Sequence, residues 1–304
     1  MEEPFFSVII PLYNREELIQ TTIQSVLNQD TKKSFEVIVV DDGSTDASAE
    51  KVRELLDSRV RYIYQNNSGA NIARNHGIDV ARGKYVAMLD SDDLYMKDHL
   101  SSSATVLDTN PNCVVYAKIV VNRGEGKTFL KPPRSILKDE HMSDYLLSDR
   151  GFLQTSTLVL PTDLARKVRF DDNLPFGQDT DFAIRLYAEG ASFHMKELPA
   201  VVWRDVYDGK RISSKSRPEV REKWLEKVKP IITRKAFYAD NGWFVAKSYV
   251  QKGDYFKGIK LYLNAVVRGC YSPQLSVVIG LQIFLPKSVY RAIVDRAIKS
   301  KQNK

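Results

Sequence analysis

Cysteine is scarce. The 304 residues hold two, Cys113 and Cys270, with no C-x-x-C pair and no metal-ligand spacing, so a disulfide scaffold and a thiolate metal site are excluded. Reduced thiols in a cytoplasmic compartment are the expectation. Histidine is equally thin: His76, His99, His141 and His194 stand far apart without partner spacing and read as structural or solvent-exposed. No run of about 18 apolar residues occurs and no apolar segment precedes Pro4, so neither membrane spanning nor secretion is expected. The glycine-rich phosphate loops are missing too. No G-x-G-x-x-G follows the first apolar run, where the chain has Pro11-Leu12-Tyr13-Asn14-Arg15, and no G-x-x-x-x-G-K-S/T occurs anywhere. A dinucleotide-binding Rossmann site and a P-loop are thereby set aside. A nucleotide site in such a chain has to be built from carboxylates and a metal.

Acid is unevenly spread. From Arg204 onward there are 22 Lys+Arg against 8 Asp+Glu, a balance of +14, which leaves Met1–Trp203 at −7 and the whole chain at +7. A basic block of this kind marks contact with phosphates or anionic lipid, or a solvated helix face. The acidic clusters, and with them any cation chemistry, fall in the first part.

That part alternates strand and helix. Phe5–Pro11, Phe35–Val40, Val60–Tyr64 and Lys84–Leu89 are short apolar runs of strand length. Between them Glu16–Asn28, Ala47–Leu56 and Asn71–Ala81 carry apolar residues at helical spacing. The order βαβαβαβ with short connections predicts a mostly parallel α/β sheet with helices on both faces. Asp41-Asp42 and Asp90-Ser91-Asp92-Asp93 stand at strand carboxyl ends, where open α/β sheets bind ligands. Closely spaced oxygens there suit Mg2+ or Mn2+. The competing reading is helix capping, and for Asp93, ahead of an expected helix Leu94–Leu107, capping is preferred. Cys113–Val121 and Lys127–Leu130 around Gly124 and Gly126 read as a hairpin. After about Asp205 the pattern turns to amphipathic Lys/Arg-rich helices, Pro218–Tyr238, Gly242–Lys252, Tyr255–Val267 and Lys287–Ser300. The expected division is a catalytic domain over 1–205 and a basic helical region over 206–304.

Five segments in order, SVIIPLYNRE (7–16), VIVVDDGSTD (37–46), SGANIARNHGI (68–78), YVAMLDSDD (85–93) and FGQDTDFAIRL (176–186), resemble the family 2 inverting glycosyltransferases of the GT-A fold. The resemblance covers about residues 5–204. It implies that Pro11, Tyr13 and Asn14 lie along the base, that Asp41 or Asp42 accepts the uracil N3 proton, and that Gly69, Arg74 and Asn75 belong to the G-x-x-x-A-R-N element. Asp90 and Asp92 match its D-x-D around Ser91, Asp90 toward the ribose and Asp92 on the metal, Mn2+ or Mg2+. Asp179 stands at the position of the base, with Asp181 next in line. Gln178 replaces the family's usual glutamate, and Arg211 or Lys210 replaces a histidine that relatives carry after the base. Chemically, a departing nucleoside diphosphate builds charge that a cation stabilises, and an attacking hydroxyl must lose a proton.

The expected activity is therefore metal-dependent inverting transfer from a nucleotide-sugar, a UDP-sugar first, to a hydroxyl of a glycan or lipid-linked oligosaccharide. A nucleotidyltransferase and a non-catalytic nucleotide-sugar-binding protein are the alternatives. Nucleic acid is not an expected partner. An anionic membrane surface is, on the cytoplasmic face, through the +14 tail and the short apolar segment Leu275–Leu285.

Overall fold

A computed structural model describes residues 3–124, 126–149, 151–205, 217–286, 288–290, 292–294 and 296. Two compact units divide the chain. The first is drawn from Met1–Asn122, Leu130–Ser135 and Leu153–Val206, and the second from Arg123–Phe129, Ile136–Phe152 and Tyr207–Lys304.

In the first unit β1 (Phe6–Leu12), α1 (Ile19–Leu27), β2 (Phe35–Asp42), α2 (Ser48–Arg53), β3 (Val60–Gln65), α3 (Ala70–Val80) and β4 (Tyr85–Met88) follow the expected alternation. Every residue of β1 and β4 is buried, which is why these strands read as unbroken apolar runs rather than alternating ones. Beyond β4 come β5 (Leu94–Tyr95), α4 (His99–Thr109), β6 (Val114–Asn122) and β7 (Thr128–Lys131). After them lie β8 (Val159–Pro161), α6 (Thr162–Val168), α7 (Gln178–Ala188) and β9 (Phe193–Arg204), while α5 (Met142–Leu147), between β7 and β8 in the chain, belongs to the second unit. The sheet runs β3-β2-β1-β4-β8-β6-β9-β5, with β7 paired to β6 as the hairpin reading anticipated. β1 to β4 are parallel, and β6 is parallel to β9.

β8 is antiparallel to both its neighbours, β4 and β6. That reversal has a positional effect. It brings the start of β8, and the 3-10 turn Thr155–Thr157 before it, to the same edge as the carboxyl ends of β1, β2 and β4. At the opposite edge Glu36 is held by Ser7, Arg61 and Arg82. Burial would raise this carboxyl, but those hydrogen bonds outweigh it and bring its pKa down to about 2.

The helix expected over Leu94–Leu107 is not continuous. Leu94 and Tyr95 pair with Val202 and Val201 as a short strand, and α4 begins only at His99, after Asp98. Asp93 is consequently not its cap.

In the second unit α8 (Pro218–Val228), α9 (Arg234–Asp240), α10 (Ala246–Gln251), α11 (Tyr255–Val267) and α12 (Pro273–Phe284) form the helical region. The helix expected over Pro218–Tyr238 breaks at Pro230, which cannot donate a backbone hydrogen bond and sits in a 3-10 turn, Lys229–Ile231. Of the helix expected over Lys287–Ser300, the described residues 288–290, 292–294 and 296 are helical. Leu275, Ile279 and Ile283 join Ala239, Ala246, Val250 and Ala265 in a core, so one face of the apolar segment Leu275–Leu285 packs within this unit. Among the described residues no helix is long and apolar enough to cross a membrane.

A buried ion pair ties α8 to α9. Arg221 donates to both oxygens of Asp240, at 2.9 and 2.6 Å, and lies over the Trp224 ring, while Asp240 has no exposed surface. Arg221→Leu strands that carboxylate in the interior and is expected to cost about 3–5 kcal/mol. Denaturant titration followed by tryptophan fluorescence measures it, and a cost near zero would show that the pair is dispensable.

Candidate functional site

The site forms along the edge where β1, β2 and β4 end and β8 begins. Asp90 lies two residues beyond the end of β4. Its backbone N–H donates to Ser156 Oγ at 3.1 Å, and its Oδ1 accepts from Arg74 Nη2 at 2.7 Å. Arg74 comes from α3, is almost wholly buried, and also donates to Asn71 Oδ1 at 3.1 Å. Burial disfavours its charge, but Asp90, Asp179 and Asp92 all act on the same guanidinium and hold it cationic. Two residues on, Asp92 is about one-third exposed and lies 3.5 Å from Arg15 Nη2.

Asp93 faces inward instead. Its Oδ2 accepts from Gln154 Nε2 at 2.5 Å and Ser156 Oγ at 2.6 Å. Burial, then the charges of Asp90 and Asp92, push its pKa well above the carboxylate range against those two hydrogen bonds. Thr22 of α1 donates to the carbonyls of Ser91 and Asp93, so the acidic turn is pinned from both sides.

Asp179 lies in the first turn of α7, after Gly177, whose φ of +77° suits a residue without a side chain. Its Oδ1 accepts a hydrogen bond from Thr155 Oγ1. Burial and the charge of Asp90 raise it to about 6, against the pull of Thr155 and Arg74. A carboxyl tuned to this range serves general base chemistry. Asp181, two residues later, is buried and takes 2.8 and 2.6 Å hydrogen bonds from Arg185 one turn along. That pairing was legible from the i, i+4 spacing.

At the β1 and β2 ends, Pro11 is buried within β1 while Tyr13 is about half exposed. Asn14 has a φ of +49° and ties the two loops: its Oδ1 accepts from Thr45 N at 2.8 Å and its N–H donates to Ser44 Oγ. The two aspartates differ. Asp41 accepts from Tyr62 OH at 2.6 Å and Ser44 N at 2.8 Å. Asp42 accepts from Gln65 and from the backbone of Ser68 and Gly69, so it shapes the turn into α3. Gly69 there has φ +103°.

Not every expected residue faces this edge. Asn75 spends its amide on Phe170 and Asp172, and Asn71 donates to the carbonyls of Asp171 and Leu174. Gln178 reaches the Leu174 carbonyl at 3.4 Å. Arg211 and Lys210 lie outside the described residues. His99 is buried against Lys196, His76 meets Gln65, and His141 caps α5, in line with structural roles. Arg15, Tyr62, Gln154, Thr155 and Ser156 are members of the site that the sequence reading did not single out. For Thr155 and Ser156 the only signal is a short run of small hydroxyl residues ahead of a strand, common to many turns.

Among the described residues no group of three His, Cys, Asp or Glu is arranged to hold a metal. A hard cation carried by a diphosphate needs only one or two protein carboxylates, the phosphates and water supplying the rest. The partly exposed Asp92 meets that requirement.

The match to known proteins is specific. The model of Glycosyl transferase family 2 matches residues 7–173. The chain belongs to this family. It is 33% identical over 271 residues to the amylovoran biosynthesis glycosyltransferase AmsB of Erwinia amylovora, covering 83% of this chain and 87% of AmsB. It is 31% identical over 216 residues to the poly(ribitol-phosphate) beta-N-acetylglucosaminyltransferase TarS of Staphylococcus aureus, covering 69% of this chain but 37% of TarS. Among solved structures, S. aureus TarS 1-349 in complex with UDP-GlcNAc aligns with TM-score 0.65 at 20% identity, over 98% of this chain and 91% of that one. The mannosyltransferase PcManGT of Pyrobaculum calidifontis, in complex with GDP-Man and Mn2+, aligns with TM-score 0.60 at 18% identity, over 100% and 89%. The glycosyltransferase has the GT-A fold these structures share: a mostly parallel mixed sheet followed by C-terminal helices.

The raised Asp179 pKa makes a stability prediction that needs no substrate. With a folded value of about 6 against an ordinary 3.8, its contribution is fully present below the ordinary value and is lost as pH rises through about 6. Asp179→Asn removes that loss, so its Tm relative to wild type should rise between pH 4 and 7.5. Thr155→Val, which deletes the opposing hydrogen bond, should move the wild-type transition to higher pH. A Tm difference independent of pH would mean the carboxyl is not perturbed.

Proposed function

We propose that this glycosyltransferase moves a sugar from a UDP-sugar to a hydroxyl of a glycan or lipid-linked oligosaccharide, with inversion, in the assembly of a bacterial surface polysaccharide. The observation that carries the reading is the grouping on one sheet edge of Arg74–Asp90, the accessible Asp92, and Asp179 tuned to about 6. The similarity to AmsB and TarS supports the polysaccharide context, and the UDP-GlcNAc in the TarS structure favours uridine over the guanosine carried by PcManGT. Membership of the family sets aside the nucleotidyltransferase reading.

In this reading Tyr13, half exposed at the loop after β1, stacks on the base, and Asp41 accepts its N3 proton. Asp90 engages the ribose. Asp92 would hold Mn2+ or Mg2+, which supplies electrostatic stabilisation of the departing diphosphate. Arg74 and Arg15, the two guanidiniums already facing Asp90 and Asp92, set cationic charge beside the phosphates. Asp179, its pKa raised to about 6 by burial and by Asp90, takes the proton of the acceptor hydroxyl as a carboxylate while that hydroxyl attacks the anomeric carbon. Asp181 is occupied by Arg185 and offers no second nucleophile, consistent with a single displacement.

Two measurements test this. UDP should raise the Tm clearly only with a divalent cation present, and Asp92→Ala should abolish that synergy. Equal stabilisation by UDP in excess chelator would remove the metal from the reading. Asp179→Asn should retain UDP-sugar affinity while turnover falls on the order of 10²-fold or more. Near wild-type transfer by that variant places the base elsewhere.

A further inference from the structure

α11 is apolar on the wrong side as well as the right one. Gly258 and Ala265 are its buried residues, and a Cβ at Gly258 would stand 2.5 Å from Val250 Cγ2, so this face is pressed onto α10. Directly opposite, Phe256, Leu263 and Val267 recur at helical spacing with Ile259 beside them, and they are 82%, 51%, 87% and 43% exposed. α12 repeats the arrangement. Leu275, Ile279 and Ile283 enter the core, while Val277, Leu281 and Phe284, also at helical spacing, remain exposed. Tyr262 links the two helices, its hydroxyl on the Ser276 carbonyl at 2.8 Å and its ring edge-on to Phe284. A helix apolar on all sides is normally covered on all sides. Of the large apolar side chains that stand exposed among the described residues, most lie from Phe244 onward.

Charge says what covers them. Residues 255–304 contain nine Lys+Arg and a single acid, Asp295, and neither α11 nor α12 contains any acid. Lys260 is exposed on α11 beside the stripe, and Arg268 is exposed at the C-terminal cap of that helix. A second copy would set this cationic surface against its like. An anionic lipid surface complements both its charge and its apolar stripe. Thirteen residues of α11 extend about 20 Å, short of the roughly 30 Å of a bilayer core, so the helix lies in the headgroup boundary rather than crossing.

We infer that the outer faces of α11 and α12 dock this glycosyltransferase on an anionic membrane, Phe256, Leu263 and Val267 entering the headgroup boundary and Lys260 and Arg268 meeting lipid phosphates. The docking face is thus centred on α11, and only the outer half of Leu275–Leu285 takes part. Binding is read without turnover, so this inference and the catalytic one stand or fall separately.

The test is co-sedimentation of the full chain with vesicles of phosphatidylcholine alone or with phosphatidylglycerol. Wild type should pellet with the anionic vesicles at low salt and release as salt rises. The triple variant Phe256→Ser, Leu263→Ser, Val267→Ser, all at exposed positions, should partition at least about tenfold less. Lys260→Glu with Arg268→Glu should weaken binding in the same direction and flatten its salt dependence, which keeps the test open if the triple variant fails to fold. Wild type that ignores anionic vesicles at low salt overturns the inference, as does undiminished binding by both variants. A stable dimer in solution that the serine variant converts to monomer would also overturn it, assigning the face to a second copy.

Discussion

The site depends on an imbalance of charge. Asp90, Asp92 and Asp179 all act on the guanidinium of Arg74, and Arg15 lies 3.5 Å from Asp92. Carboxylates this close in a partly buried edge cannot all ionise comfortably. Burial and the charges of Asp90 and Asp92 raise Asp93, and burial with the charge of Asp90 raises Asp179. Added positive charge would relieve that crowding, which is the physical reason a cation suits the proposed reading. The hydrogen bonds from Gln154, Thr155 and Ser156 temper the imbalance without removing it.

Those three residues reach the edge because β8 runs against its neighbours. Had β8 continued the parallel order, the turn before it would lie at the opposite end of the sheet, beside Glu36 and its arginines. The reversal therefore converts a segment far away in sequence into the support of both Asp93 and Asp179.

How much of this could be read from residues follows from where each signal comes from. The first four strands were legible within a residue or two; in β1, β2 and β4 burial on both faces writes a continuous apolar run such as Val37–Val40, while the part-exposed β3 was legible from its strand length alone. Asp41, Asp42, Asp90 and Asp92 were legible as strand-end acids, and the Asp181–Arg185 pair as helical spacing. Asp93 was misread as a cap because Leu94 and Tyr95 look equally apolar in a helix or in a two-residue strand; only pairing with Val201 and Val202, over a hundred residues away, decides. Thr155 was invisible for a similar reason, its role arising from a contact with a residue 24 positions on. In the helical region composition foretold amphipathic helices and a basic surface. It did not foretell that α11 would bury glycine and alanine and leave phenylalanine outside, since close packing of small residues on α10 is a property of the pair of helices.

Asn71 and Asn75 flank Arg74 on α3, and both side-chain amides are fastened to the segment Phe170–Leu174 that leads into the helix of Asp179. The helix that carries Arg74 and the segment ahead of Asp179 are therefore held together by side-chain hydrogen bonds. The spacing between the Arg74 guanidinium and the Asp179 carboxylate therefore rests in part on two amides that carry no charge.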